Sequence, residues 1–422
     1  MKIAICGPLA DRNLGDYGMF INNLYEMGNN NDYFVFSYNS SFVNQLKCDY
    51  LNDFNISFTD VVLKKKETDR KSLYESIKKA RRILLGIECK NKYIPTPFEL
   101  INRCININDI ESELDKCDVL IVSGGGYFND LWFEWERNDD LFKIIIPILI
   151  AAKKNKKIIF TANGYGPFDN SNHFYEIIFK EAQHAIYGCR DNKLSEMYLS
   201  SVGVNNAIQL PDDLYIINER LNKYNEVKFS NYIIFEQYGN VENLKNNIEK
   251  IKELVIFYKM KNTDFVFLTF DQDYSTIEYL NENIKEDNFH IYEFENGYLK
   301  IEEAILLIKN AKLVICNRYH ALVLAVTNKV PVLNIMKPVY DLRYYYNKNI
   351  GLLDKAFDGL YYNANTFIKG DIEMLIDSIL DEKNTDINVQ KELYDSKIFA
   401  ENKIKLTGQR LDFMRKTILG DK

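Results

Sequence analysis

No apolar run in this 422-residue chain is long enough to cross a bilayer, and the longest, Ile144–Ala152, is interrupted by Pro147. The apolar residues after Lys2 stop at Gly7–Pro8, too soon for the hydrophobic core of a secretory signal. Basic residues are in deficit, 53 Lys and Arg against 60 Asp and Glu, for a net charge of −7. That balance argues against nucleic acid as a partner while leaving room for a local cationic site for a small anion. Seven cysteines are scattered (Cys6, Cys48, Cys89, Cys104, Cys117, Cys189, Cys316), with no CxxC pair and no zinc spacing. Several fall in predicted strands, where Cys behaves as a small hydrophobe, so the expectation is a cytoplasmic protein without an obligatory metal. Neither GxxxxGK[ST] nor a GxGxxG opening either half of the chain is present, which disfavours P-loop and simple dinucleotide readings.

What is present is alternation. Hydrophobic residues make up 46% of the chain and charged ones 27%, the balance of a globular protein too long for one ordinary core. Strands are predicted at Lys2–Cys6, Tyr33–Ser37, Asp118–Val122, Lys157–Thr161, Ala185–Cys189 and Ala207–Leu210. Helices fall between them at Tyr17–Met27, Leu141–Lys154, Asn172–Ala182 and Lys193–Ser201. This is the doubly wound α/β signature. A polar stretch, Asn218–Ser230, separates a first domain (1–217) from a second (231–396) that repeats the alternation. Within the first, a Lys-rich segment over 62–108 reads as an insertion whose charge run is a solvated face. The last residues, 397–422, carry a helix with Phe399, Leu406 and Phe413 on one stripe and Ile404, Leu411 and Ile418 on another. Its polar side (Lys403, Arg410, Arg415, Lys416) is compatible with peripheral docking on the inner face of a membrane, packing as a closing helix being the plainer use.

The most informative stretch is Lys312–Ile335. A buried strand, a tight turn, a short helix and a second buried strand make a βαβ unit, which implies a parallel sheet covered on both faces. Asn317, Arg318 and His320 occupy the turn, at the carboxyl edge where open α/β sheets bind ligands. Arg318 in the first helical turn opposes the macrodipole and calls for an anion. A helix N-terminus with a guanidinium fork suits a phosphate or carboxylate ligand. A neighbouring acid would answer the same need, and His320 would then merely cap the helix. The dipole also biases His320 toward a neutral imidazole able to act as a base.

Three further strand ends stand out: Asn13-Leu-Gly-Asp16, with Asp16 a plausible helix N-cap; Gly124, Gly125 and Gly126 followed by Asp130; and Arg190–Asp191. A triple glycine lets a ligand approach the backbone closely. Both tryptophans, Trp132 and Trp135, follow Asp130 among carboxylates, a setting that suits a sugar ring as well as it suits a core.

The ordered set NxGD, GGGxxxD, Gly164-Tyr-Gly-Pro167, Arg190–Asp191 with Ser195, Pro211-Asp-Asp and Arg318-Tyr-His-Ala through Ala325 resembles the polysaccharide pyruvyl transferase family. The resemblance runs from about Lys2 to Ile335 and implies a GT-B-like fold, two Rossmann-like domains facing across a cleft. It implies phosphoenolpyruvate as co-substrate, with no separate cofactor, and a sugar diol on a glycan or lipid-linked saccharide as acceptor, giving a pyruvate ketal. Arg318 and His320 match the family's donor-site arginine and histidine, and Arg190 the arginine after the RD strand. Two arginines and a helix N-terminus suit a ligand bearing both phosphate and carboxylate. Asp130 is expected to orient or deprotonate an acceptor hydroxyl. The candidate set is therefore His320 and Asp130 for chemistry, with Arg318, Arg190, Asn317, Asp16, Gly124, Gly125, Gly126 and Trp132 for binding. A GT-B glycosyltransferase shares the fold and would need an acid to grip a nucleotide ribose, for which Asp341 is the near candidate. A non-catalytic glycan-binding protein is the other rival.

Overall fold

A computed structural model describes the chain except for residues 10–11, 65–93, 135–136, 192, 223–226, 237–240, 272, 295–296, 337–344, 360–361, 382 and 421–422. The first half builds a sheet from β1 (Lys2–Cys6), β2 (Asp32–Ser37), β3 (Asn55–Asp60), β4 (Val119–Val122), β5 (Gly125–Phe128), β6 (Lys157–Tyr165), β7 (Ile186–Cys189) and β8 (Ala207–Gln209). Their order is β3-β2-β1-β4-β6-β7-β8, with β5 also paired to β6. The second half uses β9 (Tyr232–Glu236), β10 (Asp264–Phe267), β11 (Phe289–Ile291), β12 (Val314–Cys316), β13 (Val332–Ile335) and β14 (Ile368–Lys369) in the order β11-β10-β9-β12-β13-β14. Every pairing between these strands is parallel.

Both orders reverse direction beside their first strand, so each sheet has a switch point, between β1 and β4 and between β9 and β12. Helices must leave on opposite faces there, which opens a crevice at the strand ends. The turns after β1, β4 and β12 that drew notice in the sequence lie at these two crevices, while Arg190–Asp191 follows β7. The buried patterns of β1, β4 and β12 show why no alternation was visible in them: strands covered on both faces are apolar throughout.

Some local expectations change. Asn13, not Asp16, caps the first helix: its side chain accepts from Gly15 N at 3.2 Å, and the helix runs Leu14–Met27. Strand β3 buries only Ile56 fully at the sheet edge, and β5 begins inside the glycine run, so neither carries a strong strand pattern. The core of the 62–108 segment lies outside the described residues, but its end forms helices Pro97–Arg103 and Ile107–Lys116.

The C-terminal segment is a closing element. Helix Lys397–Asp412 continues as a π-helical turn, Phe413–Leu419, which widens the spiral and rotates the apolar stripe. Phe399, Leu406, Phe413, Met414 and Ile418 are buried, while Ile404 stays 74% exposed. Arg410, expected on the polar side, is 1% exposed and ion-paired with Glu26 and Asp213 of the first half. No helix among the described residues is long and apolar enough to cross a membrane.

The two halves share one buried cluster, in which Leu14, Leu24 and Leu214 meet Ile301, Ile305 and Phe399. The first helix joins them directly. Leu14 N, unsatisfied within its own helix, donates to Phe270 O at 3.0 Å, and the Tyr17 hydroxyl donates to Leu299 O.

Candidate active site

The site is built at the end of β12. Arg318 occupies the N-cap position of helix Tyr319–Thr327 in an extended conformation and gives it no side-chain cap. The orphan N–H groups of such a terminus need an acceptor. Glu236, the last residue of adjacent β9, supplies it: one carboxylate oxygen accepts from Asn317 N at 3.3 Å and Arg318 N at 3.1 Å. The other lies 3.5 Å from Arg318 Nε, and the far end of the guanidinium pairs with Asp271. The anion that Arg318 called for is thus present within the protein. Burial pushes the Glu236 carboxyl up to about 7 against the pull of Arg318, so near neutral pH the pair sits close to a change of charge. Asn317 ties the turn to β13, its amide donating to Ile335 O at 2.8 Å.

His320 points the other way, into the first domain. Its Nε2 lies 3.4 Å from Arg190 Nη1 and 3.8 Å from Asp212 Oδ2. Its Nδ1 rests on the start of the first helix, where a methyl group on Gly15 would lie 1.8 Å away. Burial, then Arg190, Lys348 and Arg318, hold the ring well below the ordinary histidine range, so it is a neutral base at physiological pH. Helix capping by His320 is not what the geometry shows.

Arg190, 2% exposed, follows β7 and pairs with Asp212 at 3.0 Å. Its guanidinium stacks 4.5 Å from the Tyr319 ring centroid. Gly126 makes room for it, since a side chain there would lie 2.9 Å from Nη2. Lys348 adds a further cation, 5.0 Å from the same tyrosine ring. Arg190, Asp212 and Gly15 from the first domain therefore enclose His320, Tyr319 and Lys348 from the second.

The remaining candidates divide. Asp16 sits half-buried on the first helical turn and accepts from Asn13 Nδ2 at 3.0 Å. Gly124 donates its N–H to Asp213 at 3.2 Å, and Gly125 begins β5, so the glycine run lines the same crevice as Arg190. Asp130 is engaged by a turn of its own domain. It is fully buried and accepts from Asn170 N (3.1 Å), Ser171 N (3.0 Å) and the Ser171 hydroxyl, fastening the turn before helix Asn172–Glu181. Trp132 is 8% exposed, packed on Tyr127 with Arg137 stacked 3.9 Å from its ring, a core position and not an open sugar platform. Trp135 and Asp341 lie outside the described residues. The serine four residues after Arg190–Asp191 also has a structural role: Asp191 accepts from Ser195 N at 3.0 Å, and Ser195 Oγ accepts from Tyr165 N at 2.8 Å.

Sequence reasoning passed over Glu236, Asp271 and Lys348, and used Gly15 and Asp212 only as motif letters. An acid closing an otherwise apolar strand was the available signal for Glu236. Nothing local marks Lys348, which reaches the site only through the fold.

Two Rossmann-like domains, each on a parallel sheet, with the site between them define the GT-B fold. The chain belongs to the polysaccharide pyruvyl transferase family, which it matches over residues 13–336. No curated protein matches it. Among solved structures it resembles UDP-GlcNAc 2-epimerase from Neisseria meningitidis bound to UDP-GlcNAc (10% identity, TM-score 0.54, covering 98% of this chain and 100% of that one). It also resembles UDP-GlcNAc 2-epimerase from Methanocaldococcus jannaschii (16%, TM-score 0.52, covering 94% and 100%). A third is Anabaena Alr3699/HepE in complex with UDP-glucose (10%, TM-score 0.55, covering 97% and 98%). At such identities the likeness is one of fold.

Proposed function

We propose that the protein transfers pyruvate from phosphoenolpyruvate to two hydroxyls of a sugar on a glycan or lipid-linked saccharide, forming a cyclic ketal and releasing phosphate. The observation that carries this reading is a neutral, buried His320 whose Nε2 lies 3.4 Å from Arg190 Nη1, with the charges of Lys348 and Arg318 adding to burial and Arg190 in lowering its pKa. Such a group of cations suits a small ligand bearing several negative charges, and phosphoenolpyruvate has a phosphate and a carboxylate on a three-carbon frame.

The first hydroxyl adds to C2 of the enol while its proton passes through His320 to the methylene carbon, which becomes a methyl. Phosphate then leaves C2 with the bonding pair, and the second hydroxyl adds to the resulting oxocarbenium centre. Its proton passes through His320 to the departing phosphate. Donor and diol are thus converted to ketal and phosphate with no proton gained or lost overall. Asp212, 3.8 Å from Nε2, is placed to steady the transient imidazolium. Arg318 takes the donor's anionic group as Asp271, on the half-exposed side of the pair, gives way.

The test is incubation with phosphoenolpyruvate and a panel of acceptor saccharides, following phosphate release and product mass. A product heavier than its acceptor by one pyruvate less one water is expected. Stabilisation by a nucleotide sugar, with neither stabilisation nor turnover by phosphoenolpyruvate, would overturn the proposal.

A further inference from the structure

Residues 210–213 carry Asp212 into the site, and two cations from beyond the family-matched segment hold this short stretch at both ends. Lys355, on helix Tyr345–Phe357, donates to Leu210 O at 2.6 Å and to Cys189 O at 3.2 Å. Those carbonyls stand two residues before Asp212 and one before Arg190, so one ammonium fastens the two strand ends that bear the ion pair. At the other end Arg410 Nη1 meets Asp213 Oδ1 at 2.6 Å, while its remaining nitrogens meet Glu26 and Asn23. The second oxygen of Asp213 takes Thr161 Oγ1 at 2.5 Å, Asn23 Nδ2 at 2.8 Å and Gly124 N at 3.2 Å, so the glycine run is fastened to the same point. Helix Lys397–Asp412 also packs on helix Tyr345–Phe357, so the two holds are mechanically joined.

We propose that Lys355 and Arg410 are positioning residues that set Asp212 against Arg190 and His320, making the C-terminal helices part of the active-site frame. This rests on the pyruvyl transfer reading for its kinetic consequence but not for its geometry. Charge is consistent with it. Burial alone would raise Asp213, but Arg410 with Thr161 and Asn23 outweighs it and holds the carboxyl below its ordinary range. Burial draws the Lys355 ammonium down to about 8, with Asp191, Cys189, Asp212 and Glu196 facing it and opposing the fall. A single pair of cations thus serves two acids in sequence: Asp213 turned back to the frame, Asp212 turned forward to the histidine.

The test uses the full chain with 15N-labelled histidine rings. The protein has four histidines, and the His320→Gln variant identifies the signal in question. Lys355→Met and Arg410→Lys should both move the His320 ring resonances of the free protein. They should lower kcat on the order of 10²-fold with little change in the donor KM, as misplacement of a reacting group does. In an Asp212→Asn background the same substitutions should cost little more, because residues acting through one group are not additive. Arg410→Lys keeps a charge beside Asp213 and Glu26, and if it still fails to fold, Lys355→Met decides alone. Unmoved His320 signals in folded variants overturn the proposal, as do kcat losses that multiply in the Asp212→Asn background. The resonance arm needs no substrate, so it remains decisive if the protein proves inert toward phosphoenolpyruvate.

Discussion

His320 of the second domain rests on Gly15 of the first, so closely that one added methyl group would stand 1.8 Å from its Nδ1. The glycine is helical, and elsewhere in a helix Gly→Ala adds about 1 kcal/mol of stability. Here the gain is opposed by a clash with a buried ring. Gly15→Ala is expected to remain folded, since the clash falls on one side chain at a cleft, and to lose kcat by about 10²-fold as the imidazole is displaced. Parallel thermal unfolding and turnover measurements check it. Full activity in this variant would mean that His320 works from another position.

The roles of the two turn residues separate kinetically. His320→Gln should lower kcat by roughly two to four orders of magnitude, the usual contribution of a positioned acid–base group, with donor binding largely kept. Arg318→Lys should instead weaken donor binding. It keeps a charge but loses the fork that reaches Glu236 and Asp271, and lysine does not reproduce bidentate contacts. Calorimetric titration with phosphoenolpyruvate beside single-turnover rates distinguishes these outcomes. The assignment of His320 fails if the glutamine variant turns over at the parental rate.

Stability should respond to pH through the same turn, with opposite signs at two residues. Glu236 holds a proton in the folded state up to about 7, against an ordinary 4.5. Between those values the unfolded chain binds fewer protons than the native one, so this group makes stability fall as pH rises. His320 is held well below its ordinary 6.5. Below 6.5 the unfolded chain binds the extra proton, so this group makes stability rise with pH until 6.5 is passed. Relative to the parent, Glu236→Gln should therefore show a Tm that climbs more steeply between pH 5 and 7. His320→Gln should show one that climbs less. Equal slopes in all three proteins would contradict both assignments.

Asp130 provides a contrast. Its oxygens are occupied by the Asn170–Ser171 turn. Asp130→Ala should cost about 1–3 kcal/mol of stability, the price of leaving buried N–H groups without an acceptor, while kcat per folded molecule holds. A collapse of turnover in a well-folded Asp130→Asn protein would restore it to the chemistry.

Much of this protein could be read one residue at a time. The apolar strands, the helix between β12 and β13 and the order of the strand-end motifs are local patterns. A doubly wound sheet follows from them because parallel strands need helical crossovers. The turn Asn317–His320 could be picked out for the same reason, since the carboxyl edge of such a sheet is where a ligand finds free N–H groups. What a side chain does with its charge is a different matter, because it depends on partners far along the chain. Arg318 looked like an arginine awaiting an anion, and Glu236 and Asp271 already answer it. Asp130 and Asp212 were indistinguishable as acids after strands, yet one fastens a turn and the other faces the histidine. Arg410 read as solvent-facing from its helical position, but packing of that helix onto the first domain buried it between Glu26 and Asp213. Periodicity reports which face of an element is apolar, and local chemistry reports where a ligand would be welcome. Only the packing of two domains, by choosing which charges lose their water together, decided which groups became scaffold and which became site.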